Sequence, residues 1–202
     1  MSRFRDEKGN IVPLSNLINL PRSTLSCALR KTLGYRPVIP WIPYSAISRL
    51  NSTISCDYMM LEFGSGMSTI WYAQRCRTIV SIEHDPDWYN AVKSLIERYS
   101  LKNVDYRLRS EYNYADISDI NDNQFDLVVI DGIKRPDCAS TSIMKVKHGS
   151  YIYLDNSDTF AHGGDTRIAE HILESAMSDR TYFTDFIPTC VSVSQGCLYC
   201  IR

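Results

Sequence analysis

Leu61-Glu62-Phe63-Gly64-Ser65-Gly66-Met67-Ser68-Thr69, followed by Thr78-Ile79-Val80-Ser81-Ile82-Glu83, decides how this chain is read. The first stretch is the end of an apolar run, two glycines one residue apart, and the start of an amphipathic segment. That order places a strand, a tight turn and a helix in succession. Glycine lets backbone amides approach a ligand that a Cβ would exclude, and a helix N-terminus offers N–H groups without intrahelical partners. The second stretch is another apolar run, and it ends on an acid seventeen positions beyond Gly66.

Outward from this core the pattern repeats. A short helix from Ser45 precedes the apolar run 57–63, and a helix over 67–76 leads to the run 78–83. The spacing then predicts a helix over 86–100 with Trp88, Val92, Leu95, Ile96 and Tyr99 on one face, Asp85 as N-cap and Pro86 in the first turn. Further strands are expected at 104–108, 125–130 and 150–154, and a helix near 165–178. Alternating strand and helix give a parallel sheet covered on both faces. The β-rich runs 181–187 and 197–202 are too close for a crossover helix, so they are expected to pair antiparallel. The fold class is therefore α/β, a Rossmann-like three-layer sandwich with a mostly parallel seven-stranded sheet and an antiparallel C-terminal strand. Residues 1–45 carry Pro13, Pro21, Pro37, Pro40 and Pro43 and read as an irregular or short-helical N-terminal cap on the domain formed by 46–202.

Composition excludes several classes. Lys plus Arg (22) nearly balance Asp plus Glu (23), so no global field draws the chain to nucleic acid or an anionic membrane. No run approaches the roughly 18 apolar residues of a membrane span, and MSRFRDEKGN lacks a secretory core, so the expected location is cytoplasmic. Seven irregularly spaced cysteines fit reduced thiols. Cys190, Cys197 and Cys200 lack the second knuckle of a zinc site.

The loop is ExGxG. A dinucleotide fingerprint would place a third glycine where Thr69 stands, which disfavours an NAD-dependent oxidoreductase. S-adenosylmethionine brings a sulfonium and an ammonium, so the Glu62 carboxylate would attract it. Glu83, at the tip of the second strand, is placed to accept both ribose hydroxyl protons. Through LEFGSGMST, SIEHD, FDLVVIDG and YIYLDN the chain resembles the class I S-adenosylmethionine-dependent methyltransferases over about residues 57–202. The resemblance implies that Gly64, Ser65 and Gly66, with Ser68, line the methionine part. It places Glu83 at the ribose, His84 at the adenine face, Ser110 or Glu111 at its rim, and Asp131 near the reactive methyl.

Ligands of doubly wound sheets bind beyond the carboxyl ends of the strands, where Asp131-Gly132-Ile133-Lys134 and Asp155-Asn156 should lie. These positions are similar to those of metal-dependent catechol-type O-methyltransferases. By that resemblance Asp131, Asp155 and Asn156 would hold Mg²⁺ and Lys134 would be the general base. The segments IDGIKRPDCAS and LDNSDT depart from it, and resemble a bacterial methyltransferase branch in which the Asp-Asn pair need not hold metal. Asp155 and Asn156 would then cap the following loop. Arg135 could hold an anionic substrate, and His162 on a glycine-flanked loop is a further candidate base. No Asn/Asp-Pro-Pro-aromatic motif follows the fourth strand, which points away from amino-methylation. Trp41-Ile42-Pro43-Tyr44 would fold over the acceptor pocket or cover the core. The sequence thus points to O-methylation of a small-molecule or glycan acceptor. The alternative is a non-catalytic S-adenosylmethionine or nucleotide binder acting through a tyrosine-rich exterior.

Overall fold

A computed structural model describes residues 4–159 and 165–201, without the side chains of residues 177 and 178. Seven strands form one sheet: β1 (Met59–Phe63), β2 (Thr78–Glu83), β3 (Val104–Leu108), β4 (Phe125–Ile130), β5 (Val146–Leu154), β6 (Met177–Ile187) and β7 (Cys190–Ile201). Their spatial order is β3-β2-β1-β4-β5-β7-β6. The first five run parallel, whereas β7 is antiparallel to both β5 and β6. The expected sheet and its C-terminal hairpin are both present. The hairpin strands are 11 and 12 residues long, longer than the apolar runs alone suggest.

Strand alternation builds the two buried layers. Leu61, Phe63, Val128, Ile130, Ile152 and Leu154 face one layer, closed by α5 (Arg135–Ser142) and α6 (Asp165–Ala176). Met60, Leu127, Val129 and Tyr153 face the other, under α2 (Tyr44–Thr53) and α3 (Met67–Ala73). Glu62 shares the second face and therefore points beneath α3. Helix α4 (Pro86–Arg98) is capped as expected: Asp85 Oδ1 accepts from Asp87 N at 2.9 Å and Trp88 N at 2.8 Å. It ends before Tyr99, which is exposed rather than part of the buried face.

The N-terminal segment differs from its reading. A 3-10 turn, Leu14–Asn19, leads into a 14-residue helix, α1 (Leu20–Leu33). Pro21 stands in the first turn of α1, where a missing N–H costs nothing, and Gly34 ends the helix in the left-handed conformation. The prolines bracket a helix here rather than preventing one. Buried carboxylates fasten the segment to the sheet: Asp185 Oδ2 accepts from Asn19 Nδ2 and Ser45 N, both at 2.9 Å, and Asp158 Oδ2 accepts from Glu7 N at 3.0 Å.

The tyrosines are divided between core and surface: Tyr72, Tyr114, Tyr153 and Tyr199 are among the largest fully buried side chains, whereas Tyr35, Tyr99, Tyr112 and Tyr182 are exposed. All seven cysteines are free thiols, and Cys197 is buried. Among the described residues no helix is long and apolar enough to cross a membrane.

Candidate active site

The carboxyl ends of β1, β2 and β4 enclose a cavity of about 490 Å³ lined by Gly64, Ser65, Glu83, His84, Asp131 and Gly132, with Asp85, Trp88 and Ile133 completing its wall. A smaller recess continues from it along the start of α3, past Gly66, Met67 and Ser68 to Trp41. Ser65, Trp88 and Asp131 belong to both. The structure thus brings most of the expected cofactor residues to one surface.

Two glycines shape that surface. Gly64 has φ +93°, and a Cβ there would lie 2.7 Å from the Asp131 carbonyl oxygen. At Gly132 a Cβ would lie 1.9 Å from the Tyr114 hydroxyl. The ends of β1 and β4 pass this close because Asp131 N donates to Phe63 O at 2.9 Å. Gly66 is different: its backbone is extended and a Cβ would meet only ordinary contacts.

Glu62 does not line the cavity. It is fully buried below the loop, where its oxygens accept from Ser68 Oγ (2.6 Å), Thr69 Oγ1 (2.6 Å) and Ser81 Oγ (2.7 Å). Thr69 Oγ1 in turn accepts from Gly66 N at 3.0 Å. Burial, opposed by these three hydroxyls, pushes the Glu62 carboxyl up to about 7. Its place is that of a tie between β1, β2 and the loop. Ser68 is therefore engaged with Glu62 while also bordering the recess.

Glu83 closes the far side of the loop. Its Oε2 accepts from Ser65 Oγ (2.7 Å) and Ser65 N (3.2 Å), and its Oε1 accepts from His84 N (2.8 Å) and Asp85 N (3.0 Å). His84 Nδ1 lies 3.0 Å from Oε1, and its ring stands edge-on to Tyr114. Ser110 is exposed just past β3, at the sheet edge but outside the cavity wall.

Sequence reasoning missed three supports of the site. Trp88 Nε1 donates to Ser65 O at 2.8 Å, Tyr106 OH lies 2.7 Å from Ser65 Oγ, and Tyr114 fills the space behind Gly132. Trp88 sat on the predicted apolar face of α4; its first-turn position beside the Asp85 cap was the available signal for the loop. Tyr106 and Tyr114 gave no local signal. Trp41 does fold over the site. Its ring borders the recess, with the Arg30 guanidinium 4.6 Å and the Arg36 guanidinium 5.7 Å from its centre, while Ile42 and Tyr44 are buried in the core.

At the ends of β4 and β5, Asp131, Asp155 and Asn156 gather around Arg135. Its Nε donates to Gly132 O (3.0 Å), Nη1 to Asp155 O (2.6 Å) and Nη2 to Asn156 Oδ1 (2.9 Å), and Nη2 lies 3.6 Å from Asp131 Oδ1. Asp155 also accepts from Tyr153 OH at 3.1 Å. Burial, then the Asp131 charge, holds the Asp155 carboxyl well above the usual carboxylate range. Among the described residues no three His, Cys, Asp or Glu side chains converge as a metal site. The three expected magnesium ligands are engaged otherwise: the Asp131 and Asp155 carboxyls hydrogen-bond to each other, and the Arg135 guanidinium bonds Asn156 Oδ1 and lies 3.6 Å from Asp131 Oδ1. Lys134 follows the cavity wall at the N-cap of α5 with φ +48°, and its ammonium makes no hydrogen bond or ion pair with a described residue. His162 lies outside the described residues.

No protein-family model matches the sequence, and no curated protein matches it. Solved structures do match. An O-methyltransferase from Bacillus cereus in complex with SAH superimposes with a TM-score of 0.63 at 16% identity, over 90% of this chain and 99% of that one. The O-methyltransferase TomG from Streptomyces achromogenes, involved in tomaymycin synthesis and solved with SAM, gives 0.62 at 16% identity over 90% and 89%. A tRNA (m1A58) methyltransferase from Aquifex aeolicus gives 0.60 at 10% identity over 78% and 68%. The chain therefore has the Rossmann-like methyltransferase fold. That fold is shared with a tRNA enzyme, so it does not by itself exclude a nucleic-acid acceptor.

Proposed function

We propose that this chain is an S-adenosylmethionine-dependent methyltransferase acting on an oxygen of a small molecule or sugar unit. The observation that carries the reading is the continuous wall from Glu83 and His84, through Gly64 and Ser65, to Asp131. It matches the order of adenosine, sulfonium and acceptor along one ligand. Glu83 binds the ribose hydroxyls, which take the place of the Ser65 hydroxyl on Oε2. His84 and the exposed Ser110 border the adenine, and Gly64 to Ser68 hold the methionine part, with Glu62 supporting the loop from below. Residues 1–45 and 46–202 act as one unit, the segment carrying Trp41 forming the acceptor side of the recess.

The acceptor oxygen attacks the sulfonium methyl, the C–S bond breaks, and the products are S-adenosylhomocysteine and a methyl ether or ester. The acceptor proton passes to a base at the β4 end. Asp131, half-buried and facing both cavities, stands nearest that role, with Lys134 and His162 the other candidates. The side chains expected to hold Mg²⁺ are engaged with one another and with Arg135, so no step is assigned to a metal.

The test is calorimetric titration of the whole chain with S-adenosylhomocysteine, alongside Glu83→Gln and Glu83→Ala. Micromolar binding that weakens by about 1–3 kcal/mol in the variants supports the reading, that being the usual cost of losing hydrogen bonds to a charged group. Absence of binding by the unaltered chain would remove the basis for methyl transfer while leaving the fold intact.

A further inference from the structure

The geometry points to Arg135 as a resident cation that takes the place of a divalent metal at the ends of β4 and β5. Four oxygens from two loops converge on one guanidinium: the carbonyls of Gly132 and Asp155, Asn156 Oδ1 and Asp131 Oδ1. The Arg135 side chain is only 14% exposed. Magnesium requires oxygens at about 2.0–2.1 Å in an octahedron, whereas these oxygens stand around a planar group much larger than the ion. Two of the four are backbone carbonyls, which the fork of N–H donors on arginine reaches at fixed angles.

The local backbone agrees. Lys134, next to Arg135 in the chain, and Asn156, whose Oδ1 accepts from Arg135, are both left-handed, with φ +48° and +50°. Neither is glycine, so surrounding structure must hold each in place. At Asn156 Arg135 supplies such support, bonding the Asn156 side chain and the preceding Asp155 carbonyl, and it bonds the Gly132 carbonyl two residues before Lys134. It is a positioning residue: it fixes the Asp131 carboxylate at the mouth of both cavities and joins the β4 and β5 loops, work that a metal would do by ligation.

This inference is independent of the proposed methyl transfer, because its test reads neither cofactor binding nor turnover. Mn²⁺, a spin-active substitute for Mg²⁺, is titrated into the unaltered chain, Asp155→Ala, Arg135→Ala and Arg135→Ala/Asp155→Ala, with bound ion read by electron spin resonance and folding by circular dichroism. The expected result is no Mn²⁺ site in the unaltered chain that Asp155→Ala removes. Folded Arg135→Ala gains one such site, and the double variant loses it again. A single Mn²⁺ held by the unaltered chain and lost in Asp155→Ala would overturn the inference. A folded Arg135→Ala that gains no site would also overturn it. Should Arg135→Ala not fold, the measurement on the unaltered chain still decides, with Arg135→Lys expected to bind no ion either.

Discussion

Thr69 Oγ1 lies 2.6 Å from Glu62 Oε2 and at the same time accepts the Gly66 amide at 3.0 Å, so one hydroxyl connects the cofactor loop to the buried acid beneath it. Thr69 is the residue that breaks the dinucleotide fingerprint, and here it has a function a glycine could not perform. Thr69→Val keeps the shape and removes the hydroxyl, leaving the buried Gly66 amide without a partner and Glu62 Oε2 with only Ser81 Oγ. The expected loss is about 1–3 kcal/mol in urea unfolding. A change within a few tenths would show that the tie does not hold the loop.

Glu62 makes stability depend on pH in a defined direction. Its carboxyl is raised from 4.5 to about 7 by burial, so between those values the unfolded chain releases the proton before the folded one does. Stability contributed by this group is therefore full below about pH 4.5, falls as pH rises, and levels off above about pH 7, for a total of about 3 kcal/mol. Urea midpoints measured from pH 5 to 8 should fall more steeply in the unaltered protein than in Glu62→Gln, which cannot ionise. Parallel curves would mean that Glu62 is charged or solvated in the fold.

Gly132 and Tyr114 should behave as a coupled pair. A Cβ at position 132 would overlap the Tyr114 hydroxyl, and no movement of a flexible chain end relieves it, because Tyr114 is buried. Gly132→Ala is expected to cost about 1–3 kcal/mol through overpacking, and Tyr114→Phe in the same chain should return part of that loss. Strictly additive effects in thermal unfolding would contradict this packing.

How much of this was legible follows from how local each signal is. The strands β2, β3 and β4, the Asp85 cap and the glycine loop each rest on neighbouring residues, and each lies where the residue pattern puts it. Helix α1 did not, because proline was read as a breaker when Pro21 occupies the one turn that tolerates it. Glu62 was read correctly as near the loop but on the wrong side of it, since strand alternation alone does not say which layer a residue enters. Arg135 was legible as a cation at the rim, yet its partners Gly132, Asp155 and Asn156 come together only when β4 and β5 pair. Trp88 and Tyr106 meet Ser65 for the same reason, across strands far apart in sequence.

Trp88 offers a direct view of ligand entry. The chain has three tryptophans. Trp71 is 5% exposed within the core, whereas Trp41 borders the recess beside α3 and Trp88 borders both cavities. Trp88 is also fixed by its bond to Ser65 O, so a ligand that shifts Ser65 from Glu83 must alter its surroundings. Titration with S-adenosylhomocysteine should therefore change intrinsic fluorescence, with Trp88→Phe removing most of the change and Trp71→Phe leaving it. Because Phe lacks the indole N–H, Ser65 O loses its donor, and affinity in Trp88→Phe should fall about three- to tenfold, the equivalent of about 1 kcal/mol for a lost hydrogen bond. Full retention of both signal and affinity in Trp88→Phe would place the ligand away from the loop and would count against the wall from Glu83 to Asp131 as its site.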